Sequence, residues 1–284
     1  MTKLVWISTY LYYKDPLEPF LAKGIKPFVE KLQAKNLIES FFFVRYWTMG
    51  KHIRLRLQVD KINRAEIRKE VIRYFEDYFK KMKVKKRNRN INKNLYPPGT
   101  LEFVSYRPET KRYGGIKGVQ IAESLFNISS IVVLSLLEKR SNWRRDRRLG
   151  LALQMAFLLY LAALGKNKSQ HLLEKVVSKI DPVYQKKFNT LFVKQKNNLL
   201  KYFARLTDTK TFDSEAPGWM KTWKKEMLVV GSKLKALLRN KIITYEKRYE
   251  IIGSLVHMNN NRLGISVPDE SYSIFLLSKI LNNI

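Results

Sequence analysis

The sequence predicts an α+β protein: a ferredoxin-like βαββαβ part over residues 1–115, packed on a mostly helical part over residues 116–284, as one integrated domain. Three observations favour this fold. The first third alternates β-branched and aromatic runs with segments of helical period. Turn and capping signals divide it into four strands and two helices in the split-βαβ order. After Gly115 the chain becomes nearly all helical.

The first strand and helix are marked by composition and by capping signals. Residues 4–10 favour a pleated surface because β-branched and aromatic side chains dominate the run. Asp15 is expected to cap the following helix, with Pro16 at its first position. Pro27 is expected to break or kink that helix midway, because proline has no N–H to donate.

A hairpin follows the first helix. Residues 41–47 and 53–59 are predicted to be strands that pair antiparallel, because Gly50 in the short loop between them can adopt positive φ. Residues 101–106 are the predicted fourth strand.

The second helix has a start signal and an apolar stripe. Asn63 and Glu66 form a capping-box pattern. The side chains expected to face the core are Ile67, Val71, Phe75, Phe79 and Met82. Between this helix and the fourth strand, residues 83–100 are polar and basic, and predict either a clamp for an acidic partner or a solvated loop without a role.

Seven helices are predicted in the second half. Asp181-Pro182 marks a helix start and residues 216–218 mark a break, whereas residues 207–216 are expected to form a surface loop. The apolar run 149–165 is shorter than a membrane span and predicts a buried core helix. The predicted helices cover residues 116–140, 143–165, 168–180, 182–206, 217–239, 243–263 and 268–283.

Composition limits the classes of function. The 284 residues contain no cysteine and three histidines, which excludes disulfides and thiolate chemistry and disfavours a metal centre, so neither metal nor cofactor is expected. The start of the chain lacks a secretion signal, which favours a cytoplasmic protein without membrane insertion. A net charge of +31 will attract polyanions, although part of it can reflect proteome bias.

The first candidate site lies on the predicted third strand. Residues two apart on a strand share a face, so His52, Arg54 and Arg56 project together, away from the apolar residues between them. An ordinary solvated sheet face is the alternative interpretation.

The second candidate follows the fourth strand. Arg112 lies within one turn of a helix start, where backbone N–H groups and a guanidinium can hold a carboxylate together. Gly114 and Gly115 allow a tight turn there. The alternative is a surface ion pair between Arg112 and Glu109 that only tightens the loop.

The third candidate lies late in the chain. His257 falls within an apolar helical stretch, with Asn261 one turn further along the same face and Arg262 beside it. A lone histidine there is usually a core residue, but its ordinary pKa near neutrality makes it the natural proton carrier if the arginines are close.

These segments resemble a known family in sequential order. The chain is similar to the lantibiotic dehydratase C-terminal family, also called thiopeptide-type bacteriocin biosynthesis proteins, with departures at Lys51 and Ser129. The resemblance spans nearly the whole chain and is carried by residues 47–56, 106–115 and 122–126 and by the motif His257-Met258-x-x-Asn261-Arg262.

The resemblance implies a freestanding enzyme that eliminates glutamate from glutamylated Ser or Thr in a precursor peptide, leaving dehydroalanine or dehydrobutyrine. Its implied partners are the precursor (leader-core) peptide and a separate glutamyl-tRNA-dependent glutamylating enzyme, and a homo-oligomer is left open. The resemblance also implies that the large N-terminal glutamylation domain of full-length class I lantibiotic dehydratases is not part of this enzyme.

Residue roles follow from that chemistry. Removing a Cα proton creates an enolate, so Arg54, Arg56 and Arg112 are expected to stabilise negative charge and grip the departing glutamate. His257 is the expected general base or acid, with a pKa lowered by nearby cations, and Glu109 is expected to orient an arginine. The expected substrate-binding residues are His52, which can also carry a proton, Tyr113, Asn261 and Arg262.

Two other functions remain open from the sequence. One is the pyridine-forming [4+2] cycloaddition of thiopeptide pathways, which the same family resemblance includes. The other is a non-catalytic tRNA- or RNA-binding module, suggested by the charge and the strand order, although residues 53–59 lack the aromatic side chains that stack on bases.

Overall fold

The structure is a computed structural model that describes residues 3–14, 16–84, 95–138 and 143–284. The α+β class is confirmed. The chain divides into two compact units: Met1–Pro108 with Phe126–Trp143, and Glu109–Leu125 with Arg144–Ile284. This differs from the single expected boundary at residue 115, because one continuous helix, α4 (Ile116–Glu138), supplies its first part to the second unit and the remainder to the first.

The first unit contains an antiparallel sheet of four strands. Their spatial order is β2-β3-β1-β4, and the predicted pairing of the hairpin strands is confirmed. Met49 and Gly50 have positive φ in the hairpin loop, as the glycine predicted. The strands are β1 (Leu4–Tyr12), β2 (Ser40–Tyr46), β3 (His52–Asp60) and β4 (Leu101–Phe103).

The fourth strand is shorter than predicted. The Val104 N–H still donates to the Ser8 carbonyl at 3.0 Å, but the chain then leaves the sheet. Tyr106 packs instead on Trp6, with ring centroids 5.5 Å apart. The aromatic contact above the sheet replaces further ladder pairing.

The first helical segment contains a π-helical turn where proline was expected to cause a break. It runs as α1 (Leu17–Phe20), the π turn Leu21–Ile25, and α2 (Lys26–Ala34). Pro27 lies in the first turn of α2 and cannot donate a hydrogen bond back along the helix, so the wider turn before it accommodates the missing bond. Pro16 is at the N-cap rather than at the first helical position, and Asp15 lies outside the described residues.

The capping box predicted for the second helix is wrong. Helix α3 (Arg64–Lys81) is preceded by a 3₁₀ turn, and the Asp60 side chain accepts a hydrogen bond from the Ile62 N–H at 3.1 Å. Asn63 has helical dihedrals and makes no capping bond. Met82 follows the last turn and is 43% exposed, so it is not part of the core. The other predicted core positions, Ile67, Val71, Phe75 and Phe79, are buried.

The free edge of β2 is covered by side chains of α4 (Ile116–Glu138). Asn127 Nδ2 donates to the Phe41 carbonyl at 2.8 Å, and the Phe43 N–H donates to Ser130 Oγ at 3.2 Å. Side chains of α4 therefore form hydrogen bonds with the backbone of β2 at positions where another strand would otherwise pair, and they protect this edge of the sheet.

The second unit is helical. All seven predicted helices are confirmed, Asp181 caps α7 as expected, and one helix was missed. Residues 209–215 form α8 instead of a loop, because Asp208 caps it and Phe212 is buried. The helices after α4 are α5 (Arg145–Leu164), α6 (Lys166–Val177), α7 (Pro182–Thr207), α8 (Thr209–Glu215), α9 (Gly218–Arg239), α10 (Tyr245–Leu263) and α11 (Val267–Leu281).

Two helices, α4 and α5, are long and apolar enough to cross a membrane by length and composition alone. More than half of each apolar window is buried inside the protein, which is the pattern of a core helix. The prediction that the apolar run in α5 is a buried core helix is confirmed. Residues 85–94, within the predicted basic loop, lie outside the described residues.

Candidate active site

Strand β3 places three predicted site residues on one face of the sheet. His52, Arg54 and Arg56 alternate with the fully buried side chains of Ile53 and Leu55, as the strand period predicted. The register with β1 puts Tyr12 opposite His52, Tyr10 opposite Arg54 and Ser8 opposite Arg56.

Arg54 is held between aromatic rings. Its guanidinium carbon lies 3.3 Å from the centre of the Tyr46 ring and 4.5 Å from that of Tyr10. Cation–π contacts of this kind fix a guanidinium without neutralising it. Arg56 has similar support, with Tyr106 at 5.0 Å and Phe42 at 5.4 Å.

His52 is buried beneath this cation. Arg54 Nε donates to His52 Nε2 at 3.3 Å, so Nε2 carries the lone pair and Nδ1 donates to the Gly50 carbonyl at 2.7 Å. Burial lowers the pKa of His52, and Arg54 adds to that effect. Both ring nitrogens are engaged, and the hydrogen bond to Nε2 helps to orient Arg54. The substrate-binding or proton-carrying role expected of His52 stays a prediction.

In the second unit, the turn before α4 needs both of its glycines. Gly114 and Gly115 have φ of +72° and +97°, and the Gly115 N–H donates to the Thr110 carbonyl at 2.8 Å. A Cβ on Gly114 would lie 2.7 Å from Ile243 Cγ2, so a side chain there would clash as well as strain the backbone. The turn fixes the backbone that carries Arg112.

Arg112 makes one contact along the chain and one across the fold. Its Nη1 donates to Glu109 Oε2 at 3.2 Å, which is the ion pair considered from the sequence. Its Nε donates to Ser254 Oγ on α10 at 3.1 Å. The Tyr113 ring lies 5.6 Å from the guanidinium carbon. Tyr113 is buried, and this burial raises the pKa of its phenol to about 12. The substrate-binding role expected of Tyr113 stays a prediction.

His257 lies three residues after Ser254, on the same side of α10. Its Nδ1 is 2.9 Å and 3.2 Å from the two carboxylate oxygens of Glu270 on α11. The hydrogen bond to Glu270 raises the pKa of His257, and the Arg112 charge opposes it without prevailing. The expectation that cations lower this pKa is therefore wrong, because the nearest charged partner is a carboxylate.

Asn261 and Arg262 lie further along α10. Asn261 is half-buried, one turn after His257 as predicted. Arg262 is fully buried, and its Nη1 donates to the Met258 carbonyl at 2.8 Å. The substrate-binding role expected of Arg262 stays a prediction.

The predicted residues thus form two groups. His52, Arg54 and Arg56 lie together in the first unit. Glu109, Arg112, Tyr113, His257, Asn261 and Arg262 belong to the second unit. The approach of the β3 group to His257 stays a prediction. Sequence reasoning missed Ser254 and Glu270, since no spacing rule relates them to Arg112 or His257. Over the described ranges there is no cluster of three or more His, Cys, Asp or Glu residues that could hold a metal ion.

Comparison with known proteins decides the family. The profile described as the C-terminal part of lantibiotic biosynthesis dehydratases matches residues 6–281. The chain belongs to this family. Within it, epidermin biosynthesis protein EpiB of Staphylococcus epidermidis is 24% identical over 281 residues, covering 97% of this chain and 26% of EpiB. Nisin biosynthesis protein NisB of Lactococcus lactis subsp. lactis is 24% identical over 280 residues, covering 97% of this chain and 25% of NisB.

This member of the lantibiotic dehydratase C-terminal family therefore spans about a quarter of the length of those two relatives. Its fold is also similar to solved structures. Pyridine synthase TbtD from thiomuracin biosynthesis aligns with a TM-score of 0.75 at 13% identity, over 98% of both chains. The tRNA-dependent lantibiotic dehydratase MibB from Microbispora sp. 107891 aligns with a TM-score of 0.71 at 17% identity, over 98% of this chain and 28% of MibB.

Proposed function

We propose that the protein is a cytoplasmic lyase that eliminates glutamate from glutamylated Ser or Thr residues of a precursor peptide. Base removes the Cα proton, the Cα–H electrons form the Cα=Cβ double bond, and the Cβ–O bond breaks with its electron pair leaving on the glutamate carboxylate. The products are dehydroalanine or dehydrobutyrine and free glutamate. Such a reaction needs a proton carrier and fixed positive charge near the enolate and the leaving group.

One observation carries this proposal: a guanidinium from the turn before α4 is bound to the same face of α10 that bears the His257 imidazole. Arg112 is bound to Ser254, and His257 lies on the same face three residues later. The charges of Arg112 and Glu109 both act on the His257 imidazole. Arginine can hold an oxyanion or a carboxylate there while the imidazole exchanges a proton.

The β3 group has the second property that elimination requires. Arg54 is clamped by Tyr10, Tyr46 and His52, so its charge is preorganised before a substrate binds. Preorganised donors stabilise developing charge without a reorganisation cost during the reaction. We propose that Arg54 and Arg56 bind the glutamate carboxylates.

Partners follow from the same proposal. The chain covers about a quarter of the lengths of EpiB and NisB. We propose that a separate glutamyl-tRNA-dependent enzyme carries out the glutamylation. We also propose that the first unit has the ferredoxin-like arrangement, supported by β3 lying between β1 and β2 in the sheet.

Pyridine-forming cycloaddition is the second candidate. It is favoured by the fold similarity to TbtD, which extends over 98% of both chains, whereas MibB matches over 28% of its length. The pair of Arg112 and His257 fits proton transfer in either reaction, so products must separate the two.

The test is incubation of the purified chain with a synthetic peptide that carries a glutamylated serine. Elimination predicts release of glutamate and a dehydroalanine-containing product by mass spectrometry. A parallel incubation with a peptide that already contains two dehydroalanines tests for a pyridine product. Absence of glutamate release together with pyridine formation would replace the first proposal with the second. Salt-sensitive tRNA binding without turnover of either peptide would indicate the RNA-binding module.

Variants show whether the same residues do the chemistry. Arg112→Ala and His257→Gln are each expected to lower the elimination rate by roughly 100-fold or more. Arg205→Ala is the matched control, because Arg205 forms an exposed ion pair with Glu215 on the surface of the same unit. Unchanged rates in the first two variants would remove these residues from the mechanism.

A further inference from the structure

We propose that Glu270 is a positioning residue for His257: it binds the Nδ1–H of the imidazole and leaves Nε2 as the nitrogen that exchanges a proton with the peptide. This inference deepens the proposed elimination and rests on it for its catalytic meaning. The pairing itself is a property of the free protein and can be tested without a substrate.

The hydrogen-bond geometry assigns the roles of the two ring nitrogens. Glu270 Oε2 and Oε1 lie 2.9 Å and 3.2 Å from His257 Nδ1. An ionised carboxylate can only accept hydrogen bonds, so Nδ1 must carry the proton. In the neutral imidazole the lone pair is therefore on Nε2.

Glu270 is more buried than His257, as expected for a carboxylate that orients a reactive imidazole. The Glu270 side chain is 16% exposed, whereas the His257 side chain is 48% exposed. The carboxylate is thus held mostly within the protein, and the imidazole remains open to an incoming peptide. In catalytic triads, too, a buried carboxylate accepts a hydrogen bond from one ring nitrogen of a histidine whose other nitrogen faces the substrate.

The turn between α10 and α11 holds Glu270 in place. Gly264 ends α10 in the left-handed conformation with φ of +75°, and Ser266 caps α11. Two arginines of α5 fix this turn from outside: Arg148 Nη1 donates to the Gly264 carbonyl at 3.0 Å, and Arg145 Nε donates to Asp269 Oδ1 at 2.9 Å. Glu270 therefore reaches His257 from an anchored backbone.

The charges that face His257 come from two other elements. Glu270 lies on α11, and Arg112 and Glu109 lie in the turn before α4. The pKa of His257 is raised, with the hydrogen bond to Glu270 as the leading cause; Glu109 acts in the same direction and Arg112 against it. Glu270 thus increases the basicity of the ring while Arg112 supplies the positive charge for the enolate.

In the elimination step, Nε2 takes the Cα proton and the ring becomes an imidazolium. The Cα–H electrons form the double bond and the glutamate leaves with the electrons of the Cβ–O bond. Glu270 stabilises the imidazolium through the Nδ1–H bond. The proton is then free to pass from Nε2 to the departing carboxylate or to water.

A purely structural role for Glu270 is the competing explanation. An acidic residue in the first turn of α11 stabilises the helix through its dipole, whatever it contacts. Glu246 is likewise an acidic residue in the first turn of a helix of the same unit, α10, and it is exposed. Glu246→Gln is therefore the matched control for Glu270→Gln, because it lies about three turns before His257 on that helix.

The first experiment is NMR titration of the histidine rings in the free, full chain. The protein has only three histidines, so His257 can be assigned by its loss in His257→Gln. We expect Glu270→Gln to lower the pKa of His257 and to keep the Nδ1–H tautomer, since glutamine retains an acceptor oxygen. Glu270→Ala is expected to lower the pKa and lose that tautomer preference. Glu246→Gln should leave the pKa and the tautomer of His257 unchanged. An unchanged His257 titration in Glu270→Gln would overturn the inference.

The second experiment is the pH dependence of glutamate release. We expect Glu270→Ala to lower kcat by about 10- to 100-fold with little change in KM, the range seen for partners that orient a functional histidine. In the plot of glutamate-release rate against pH, the limb that reflects the titration of His257 should move to lower pH in Glu270→Gln. A kcat and pH profile equal to those of the native protein, in a folded variant with a shifted His257 pKa, would refute the positioning role. If the native protein releases no glutamate while the NMR pairing of His257 with Glu270 holds, the elimination assignment fails and the pairing stands.

Discussion

Arg112 Nε donates a hydrogen bond to Ser254 Oγ at 3.1 Å, which joins the turn before α4 to the helix that carries His257. The two residues are 142 positions apart in the sequence. The bond directs a cation toward one face of α10, where the imidazole follows one turn later. The arrangement depends on a hydroxyl that no motif identified.

Removing that hydroxyl should affect catalysis more than folding. Ser254→Ala is expected to leave Arg112 paired only with Glu109 and to lower kcat/KM for glutamate release by about fivefold to tenfold, equivalent to roughly 1 kcal/mol for one hydrogen bond. Ser271→Ala is the control, because the Ser271 hydroxyl bonds within its own helix to the Val267 carbonyl. Equal activity of the two variants would show that Ser254 does not position Arg112.

His52 should make stability depend on pH. Its pKa in the folded protein is lowered by burial, so the unfolded state binds a proton more readily as pH falls below about 6.5. The contribution of neutral His52 to the unfolding free energy is fully present above that pH and is lost as the pH decreases through the folded-state pKa. Urea unfolding measured from about pH 8 to about pH 5 should show this decrease in unfolding free energy in the native protein and not in His52→Asn. A native protein whose His52-dependent stability grows on acidification would contradict the assignment of a neutral ring.

The turn at Gly114 should tolerate no side chain. Gly114→Ala combines a φ of +72° with a Cβ 2.7 Å from Ile243 Cγ2, so we expect a loss of about 1–3 kcal/mol in unfolding free energy. Gly150→Ala is the control, since a Cβ on that glycine of α5 meets nothing within 4 Å. It should stabilise the protein by about 0.5–1 kcal/mol through helix propensity. Thermal unfolding measures the stability of both variants. An unchanged stability of Gly114→Ala would refute the close approach of Ile243 to Gly114.

The covered edge of β2 gives a further stability prediction. Ser130→Ala removes the acceptor for the buried Phe43 N–H, which should cost about 1–3 kcal/mol in unfolding free energy. Ser135→Ala on the same helix is the control, because that hydroxyl bonds to the Val132 carbonyl of its own helix. Chemical denaturation measures both, and equal midpoints would show that Ser130 does not support the sheet edge.

Local patterns were sufficient for most of the fold. The hairpin of β2 and β3 followed from alternation and Gly50, and α7 from Asp181 and Pro182, because these signals act through neighbouring residues. The failures were also local in origin. Asp60 caps the 3₁₀ turn that precedes α3, whereas Asn63 makes no capping bond. Helix α8 was missed because its single buried residue, Phe212, gives no periodic stripe.

The sequence by itself determined which side chains of β3 share a face, that Glu109 can reach Arg112, and that His257 and Asn261 lie on one side of a helix. Each follows from the period of a strand or a helix, which is set within a few residues. Only the tertiary structure decided that His52 is buried under Arg54, that Ser254 holds Arg112, and that Glu270 raises the pKa of His257. Burial and the identity of the charged neighbours depend on which helices pack together. The pKa of His257 is raised, and not lowered as the sequence had predicted, because a carboxylate from α11 is hydrogen-bonded to the imidazole.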